Sequence, residues 1–308
     1  MLRAMQTPPA LRMPTSTDAA NAHALVFGAS GQIGRRVCAR LHREGWRITA
    51  VSRNAASQPP LPGVTWVEGA LPDRVALPDD CTALVSCGPL DLFSQWYAGS
   101  GSGARRVVAF GSTSLHVKHD SPDPAERGLV RRLQAAETTV FDTAAAGGAD
   151  ATLLRPTLVY GAASDRNLTR IAGLARRYRT FVLPADAAGL RQPVHVDDLA
   201  DAAMAALHAP ASAGRGYDLP GGETLAYTDM VARTLASLDP PVRLWRLPGP
   251  LFDIALRLAR HLGLRGAGPG VLARLRSDLV FDAGPAGRDF GYAPRRFRPE
   301  RAMFVAPP

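Results

Sequence analysis

Ala24 to Phe27 form a continuous apolar run, and Ile33, Val37 and Leu41 follow it at helical spacing. Short runs of the same kind recur at Val64–Glu68, Ala83–Ser86, Val107–Phe110 and Ala151–Leu154. Between them, residues 91–102 and 129–145 carry helical patterns. Apolar strands that alternate with helices belong to a parallel sheet covered on both faces. The pattern predicts an α/β fold: a Rossmann-type, doubly wound parallel sheet.

Beyond residue 157 the pattern becomes mixed. Leu168–Tyr178 and 199–208 read as helices, and Phe181–Leu183, Pro193–Val196 and Tyr217–Leu219 as extended segments. Asp197 and Asp198 stand where they would cap helix 199–208, and Thr228 or Asp229 would open another helix. Residues 242–248 are extended and basic, and a helix at about 250–262 carries Leu251, Ile254, Leu258 and Leu262 on one face. Core packing is the expected use of that face, with a membrane surface as the alternative. The division expected is a flexible leader (1–22), a dinucleotide-binding domain (23–160) and a smaller mixed α/β substrate domain (161–308). Residues 190–210 of the latter return to the dinucleotide-binding domain.

A chain of 308 residues that is 46% hydrophobic is long enough to bury a large core. Its formal charge of +9 suits an anionic ligand, but arginine is spread along the chain without an aromatic-interleaved basic module, so no specific nucleic-acid partner is expected. Cys38, Cys81 and Cys87 lack zinc spacing and suit a reducing compartment. No metal site is expected. Residues 1–23 have no apolar core of a secretory signal, and no run reaches membrane-spanning length, so a cytoplasmic protein is expected.

The chemistry concentrates at residues 25–53. Gly28, Ser30, Gly31 and Gly34 form a G-x-S-G-x-x-G turn between strand and helix, with Gln32 and Ile33 completing it. Glycines there permit the turn, a close approach to a pyrophosphate, and contact between helix and sheet. The end of the second strand, where an acid would bind a free ribose 2′-hydroxyl, carries Arg53 with Asn54 beside it. A guanidinium fork suits a 2′-phosphate and offers no acceptor to a hydroxyl, so NADP(H) is favoured over NAD(H).

Three ordered motifs, the glycine turn, Leu154-Arg155-Pro156-x-x-x-Tyr160-Gly161 and Pro193-Val194-His195-Val196-Asp197-Asp198-Leu199-Ala200, resemble the extended short-chain dehydrogenase/reductase superfamily. Within it, the chain is similar to the NAD-dependent epimerase/dehydratase family, and Asp289-Phe290-Gly291-Tyr292 resembles the atypical branch with complex I accessory-subunit-like proteins. The resemblance implies that Cys87, Gly88 and Pro89 border the cofactor and that Pro156 and Thr157 approach the nicotinamide ribose. It also implies a small polar or nucleotide-sugar-like substrate, and a homodimer or another protein partner joined through the helices near 91–102 and 129–145. Arg155, Arg170 and Arg191 would accommodate a small anionic or sugar-like substrate, with solvation or salt bridging as the equal alternative.

For catalysis the resemblance implies a serine or threonine after a central strand and a Tyr-x-x-x-Lys pair on the next helix, the tyrosine exchanging a proton while hydride moves. Ser112 and Thr113 supply the hydroxyls, to orient substrate. Aligning the helix on Glu137 puts Leu129 at the tyrosine position and Leu133 at the lysine position. Leucine transfers no proton, so the catalytic site is nonstandard. Tyr160, His195 and the loop residues His116, Lys118 and His119 are the replacements to consider. The expectation is an NAD(P)-binding epimerase/dehydratase-like oxidoreductase; the alternative is a non-catalytic NADP(H)-binding sensor or assembly protein. Gly69-Ala70-Leu71 stands where the family often has Gly-Asp-Leu, so an acidic contact to adenine is lacking there.

Overall fold

The protein is described by a computed structural model for residues 22–305, except 74, 166, 253 and 255–274. The expected leader and most of the expected helix at 250–262 lie outside the described residues. The first half runs β1 (His23–Phe27), α1 (Gly34–Arg43), β2 (Arg47–Ser52), β3 (Val64–Glu68), β4 (Ala83–Ser86), α2 (Leu90–Gly99), β5 (Arg106–Phe110), α3 (Ser114–Val117), α4 (Pro124–Gly147) and β6 (Asp150–Pro156). The second half adds β7 (Val159–Tyr160), α5 (Leu168–Tyr178), β8 (Phe181–Pro184), β9 (Leu190–Arg191), β10 (Val194–His195), α6 (Val196–His208), β11 (Arg215–Leu219), β12 (Leu225–Ala226), α7 (Tyr227–Ala236), β13 (Leu244–Leu247) and α8 (Gly284–Phe290).

Seven strands form one sheet in the order β11-β6-β5-β4-β1-β2-β3, and every neighbouring pair is parallel. Strand order reverses between β1 and β4. In open sheets of this kind the carboxyl ends of the strands at such a reversal border the crevice where ligands collect. One sheet face is covered by Val37, Cys38 and Leu41 of α1 and by Leu199, Ala203 and Leu207 of α6. The other is covered by Phe93, Trp96 and Tyr97 of α2 and by Leu133 and Val140 of α4. A third cluster, away from the sheet, gathers Tyr160, Leu168, Leu183, Met230, Leu235, Phe297 and Phe304.

Several local details differ from the pattern-based expectation. Helix α4 begins at Pro124 rather than near 129, because the Asp123 carboxylate accepts from the Ala125 amide at 2.9 Å and Pro124 fits the first helical position. Strand β6 runs on through Pro156. The proline amide has no proton to leave unpaired, and its carbonyl accepts from the Thr113 amide. Helix α6 is capped by His195, whose Nδ1 accepts from the Asp197 amide at 3.1 Å, and not by the aspartates themselves. Asp197 instead binds Arg36 of α1 at 2.8 Å, and Asp198 accepts from the Arg295 amide and guanidinium at 3.0 and 2.7 Å. These pairs fasten α1 and the C-terminal segment to the start of α6.

Cys38 and Cys81 are buried free thiols, and Cys87 is half-buried. Among the described residues no helix is long and apolar enough to cross a membrane, and no group of three or more His, Cys, Asp or Glu could hold a metal ion.

Candidate functional site

The glycine turn lies where β1 meets the crevice. Gly28 has φ +65°, and a Cβ there would stand 2.8 Å from the Cys87 carbonyl carbon and the Gly88 amide. The loops after β1 and β4 therefore touch backbone to backbone. A Cβ on Gly34 would stand 2.2 Å from the Gly28 carbonyl oxygen, so the first turn of α1 can rest on the loop only as glycine. The Gly31 amide closes the turn onto that carbonyl at 2.9 Å. Helix α1 has neither a side-chain cap nor an acid in its first turn. The Arg35, Arg36 and Val37 amides bond the Gly31 and Ile33 carbonyls, and the positive end of the helix dipole at this terminus suits a pyrophosphate. Gln32 Oε1 is buried in the same loop without a partner among the described residues. Ile33 and Ser30 are half-buried beside it, and Pro89 is exposed at the opposite lip with Gly88 half-buried. The donor set and the cradle fit a dinucleotide.

At the end of β2, Arg53 and Asn54 are exposed and the loop 53–58 contains no carboxylate. Ser52 Oγ lies 3.5 Å from Ser30 Oγ and accepts from the Asn54 amide at 3.3 Å. Arg35, which the sequence reasoning passed over, bridges this corner. Its Nε donates to the Ser30 carbonyl at 2.9 Å and its Nη2 to Gln58 Oε1 at 2.8 Å. The signal was its place directly after the last glycine of the turn, on the helix face toward β2. The corner thus holds two guanidinium groups.

Across the crevice, Thr113 is buried and its hydroxyl donates to the Pro156 carbonyl at 3.1 Å. Ser112 donates to Ser114 Oγ at 3.0 Å. Thr157 follows β6 and donates to the Gln192 carbonyl at 2.5 Å, while the Gln192 side chain accepts from the Phe281 amide at 2.7 Å. The hydroxyl residues, the end of β6 and the 279–281 segment therefore meet along one wall.

Leu133 is buried in the apolar cluster beneath α2, and Leu129 packs against that cluster. The helix positions aligned with a tyrosine and a lysine are part of the core. Glu137, one turn further on, explains the alignment: it receives Arg155 in a bidentate pair, Nε to Oε1 at 2.7 Å and Nη2 to Oε2 at 2.6 Å. Asp218 of β11 lies 3.7 Å from the same guanidinium and 3.1 Å from His116 Nε2. Arg155 is thereby neutralised from two sides and serves in salt bridges. Arg191 is buried over the Tyr227 ring and donates to the Leu190 and Ser277 carbonyls at 2.7 Å each. That guanidinium holds backbone.

Tyr160, by contrast, does not open onto the crevice. Only 1% exposed, it packs edge-on against His195 and Phe297, and burial pushes its phenol up to about 12. His195 is buried beside it, its imidazole held below the ordinary histidine range by burial and by the nearby Arg295. Lys118 binds Glu126 at 3.3 Å, and His119 pairs with Asp120 at 2.5 Å on the exposed side of its loop.

The (4-alkanoyl-5-oxo-2,5-dihydrofuran-3-yl)methyl phosphate reductase of Streptomyces griseus is 30% identical over 230 residues, which cover 71% of this chain and 75% of that protein. The uncharacterized protein YbjS of Escherichia coli strain K12 is 21% identical over 88% of this chain and 92% of its own length. In fold, the chain is similar to the UDP-glucuronic acid 4-epimerase of Bacillus cereus, solved in complex with NAD. The TM-score is 0.70 at 13% identity, covering 92% of this chain and 97% of that one. The sequence pattern of the NAD dependent epimerase/dehydratase family matches residues 24–86 and 103–219, spanning β1 through β11, and the chain belongs to that family.

Proposed function

We propose that the protein is an NADP(H)-dependent reductase acting on a small anionic carbonyl compound, of the conjugated, phosphate-bearing kind named for its Streptomyces griseus relative. The observation that carries the reading is a close-packed glycine cradle together with a helix whose aligned positions hold Leu129 and Leu133, packed in or against the core.

Sugar epimerisation begins by removing a proton from a substrate hydroxyl, which calls for a base such as a tyrosinate. Leucine cannot act so. Reduction of a conjugated carbonyl starts from an electrophile and asks only that the charge reaching the oxygen be met by donors and a proton. In this reading Gly28, Ser30, Gly31, Gln32, Ile33 and Gly34 hold the pyrophosphate, and Cys87, Gly88 and Pro89 form the opposite lip. Arg53, Asn54 and Arg35 receive the 2′-phosphate, and Pro156 and Thr157 border the nicotinamide ribose. When bound, the reduced cofactor supplies hydride. Thr113 and Ser112 orient the substrate oxygen, and Tyr160 stiffens the wall behind it. Residues 161–308, apart from the 190–210 return, shape the substrate side. A cytoplasmic location and pairing of two copies through α2 and α4 complete the proposal.

The test is NADPH consumption with a 4-acyl-5-oxo-2,5-dihydrofuran-3-ylmethyl phosphate, run beside UDP-glucose with NAD⁺. Consumption of NADPH with the former alone is expected. Conversion of UDP-glucose would move the reading to nucleotide sugars. Cofactor binding without turnover of either compound would favour a sensor or assembly role.

A further inference from the structure

Sequence separation hides one pairing at the substrate wall. His116 lies on α3, one turn past Thr113, and its amide is fixed to the Thr113 carbonyl at 3.1 Å. Asp218 comes from the edge strand β11 and reaches His116 Nε2 at 3.1 Å. The imidazole is 39% exposed, and its Nδ1 has no partner among the described residues. Its ring centroid lies 6.0 Å from that of Phe281, whose amide is bound to Gln192 on the wall shared with Thr157.

The charged groups around His116 are accounted for. Asp218 faces it from β11, and Arg155 of β6 lies behind Asp218, held by Glu137 of α4. On its own turn, Lys118 is bound to Glu126 and His119 to Asp120. Tyr160 is enclosed in the third cluster. Among the titratable side chains next to the Ser112–Ser114 turn, His116 combines an oriented ring, a carboxylate behind it and an open nitrogen.

We propose that His116 is the proton donor of the reductase, positioned by Asp218, and does the work for which Leu129 has no group. The inference rests on the reductase reading. Hydride reaching the substrate carbon moves an electron pair onto the carbonyl oxygen. That pair takes the proton from the His116 imidazolium, so an N–H bond breaks and an O–H bond forms. The Asp218 carboxylate holds the ring in place at Nε2. The neutral imidazole then recovers a proton from water.

The test uses the full chain loaded with NADPH and the dihydrofuranone phosphate probe. His116→Ala is expected to lower kcat by roughly 10²–10⁴-fold. NADPH affinity by calorimetry should stay at the native value, and imidazole added to solution should restore part of the lost rate. Asp218→Asn should lower kcat with little change in KM, because it acts through the ring. His208→Ala, which alters a histidine bound to Glu44 away from this wall, should keep the native kcat. Native kcat in His116→Ala would overturn the assignment, as would a lost rate that imidazole does not restore. Either result leaves the reductase reading intact. A native protein that binds NADPH and leaves the probe unreduced would overturn that reading, and the role of His116 with it.

Discussion

Replacing Glu137 by glutamine tests how the catalytic edge is held together. The side chains of Glu137 and Arg155 are 11% and 16% exposed, and two bonds of 2.7 and 2.6 Å join them. Hydrogen bonding to Glu137 raises the Arg155 guanidinium further above its ordinary range, and an arginine stays charged even without that partner. Breaking a buried pair from one side typically costs about 3–5 kcal/mol, because the remaining charge is left without compensation. Asp218 lies 3.7 Å away and offsets part of that loss, so the lower end, about 3 kcal/mol, is the expected value. At about 2–4 °C per kcal/mol, Glu137→Gln should melt roughly 6–12 °C below native protein. Glu137→Met combined with Arg155→Met removes both charges and should lose less than Glu137→Gln alone. Differential scanning calorimetry of the three proteins reads the result. A Glu137→Gln protein melting within about 1 °C of native would refute the reasoning, as would a double variant less stable than the single.

Other perturbations address the crevice and its wall. Gly28→Ala places a Cβ 2.8 Å from the Cys87 and Gly88 backbone at φ +65°. The left-handed backbone alone costs roughly 1–2 kcal/mol. NADPH affinity should fall at least about tenfold by calorimetry, a loss of about 1.4 kcal/mol in binding. His195 has a folded-state pKa below its ordinary 6.5, set by burial and Arg295. Its contribution to stability is therefore complete above pH 6.5 and is lost as pH falls through the lower folded value. Native protein should lose stability along that slope in acid melts, and His195→Gln should flatten it. An unchanged slope would mean that another group titrates there.

Much of the sheet was legible in the sequence because its strands are buried on both faces and read as apolar runs. Val64–Glu68, Ala83–Ser86 and Leu168–Tyr178 have the limits their patterns suggested. Boundaries slipped where capping chemistry outranked periodicity, as at Asp123-Pro124 ahead of α4. The roles of Asp197 and Asp198 were misread because Arg36 and Arg295 reach them from distant segments. The glycine turn was legible too, because the approach of Gly34 to the Gly28 carbonyl is local, whereas the contact of Gly28 with Cys87 and Gly88 is made by the sheet. The contact between His116 and Asp218 was not, because it joins α3 to an edge strand that only the folded sheet brings alongside. Arg155 shows the same limit: its charge is plain in the sequence, whereas its neutralisation by Glu137 and Asp218 is a product of packing.

The central claim is that this crevice binds a dinucleotide through the glycine cradle and prefers the 2′-phosphorylated form at the Arg35 and Arg53 corner. Titration calorimetry with NADPH, NADP⁺, NADH and NAD⁺ tests it most directly. Charged hydrogen bonds of about 1.5–3 kcal/mol each give a preference for NADPH over NADH of at least about tenfold. Arg53→Asp should reverse it. Tighter binding of NADH by the native protein would contradict the phosphate assignment, and binding of none of the four would contradict the dinucleotide site itself.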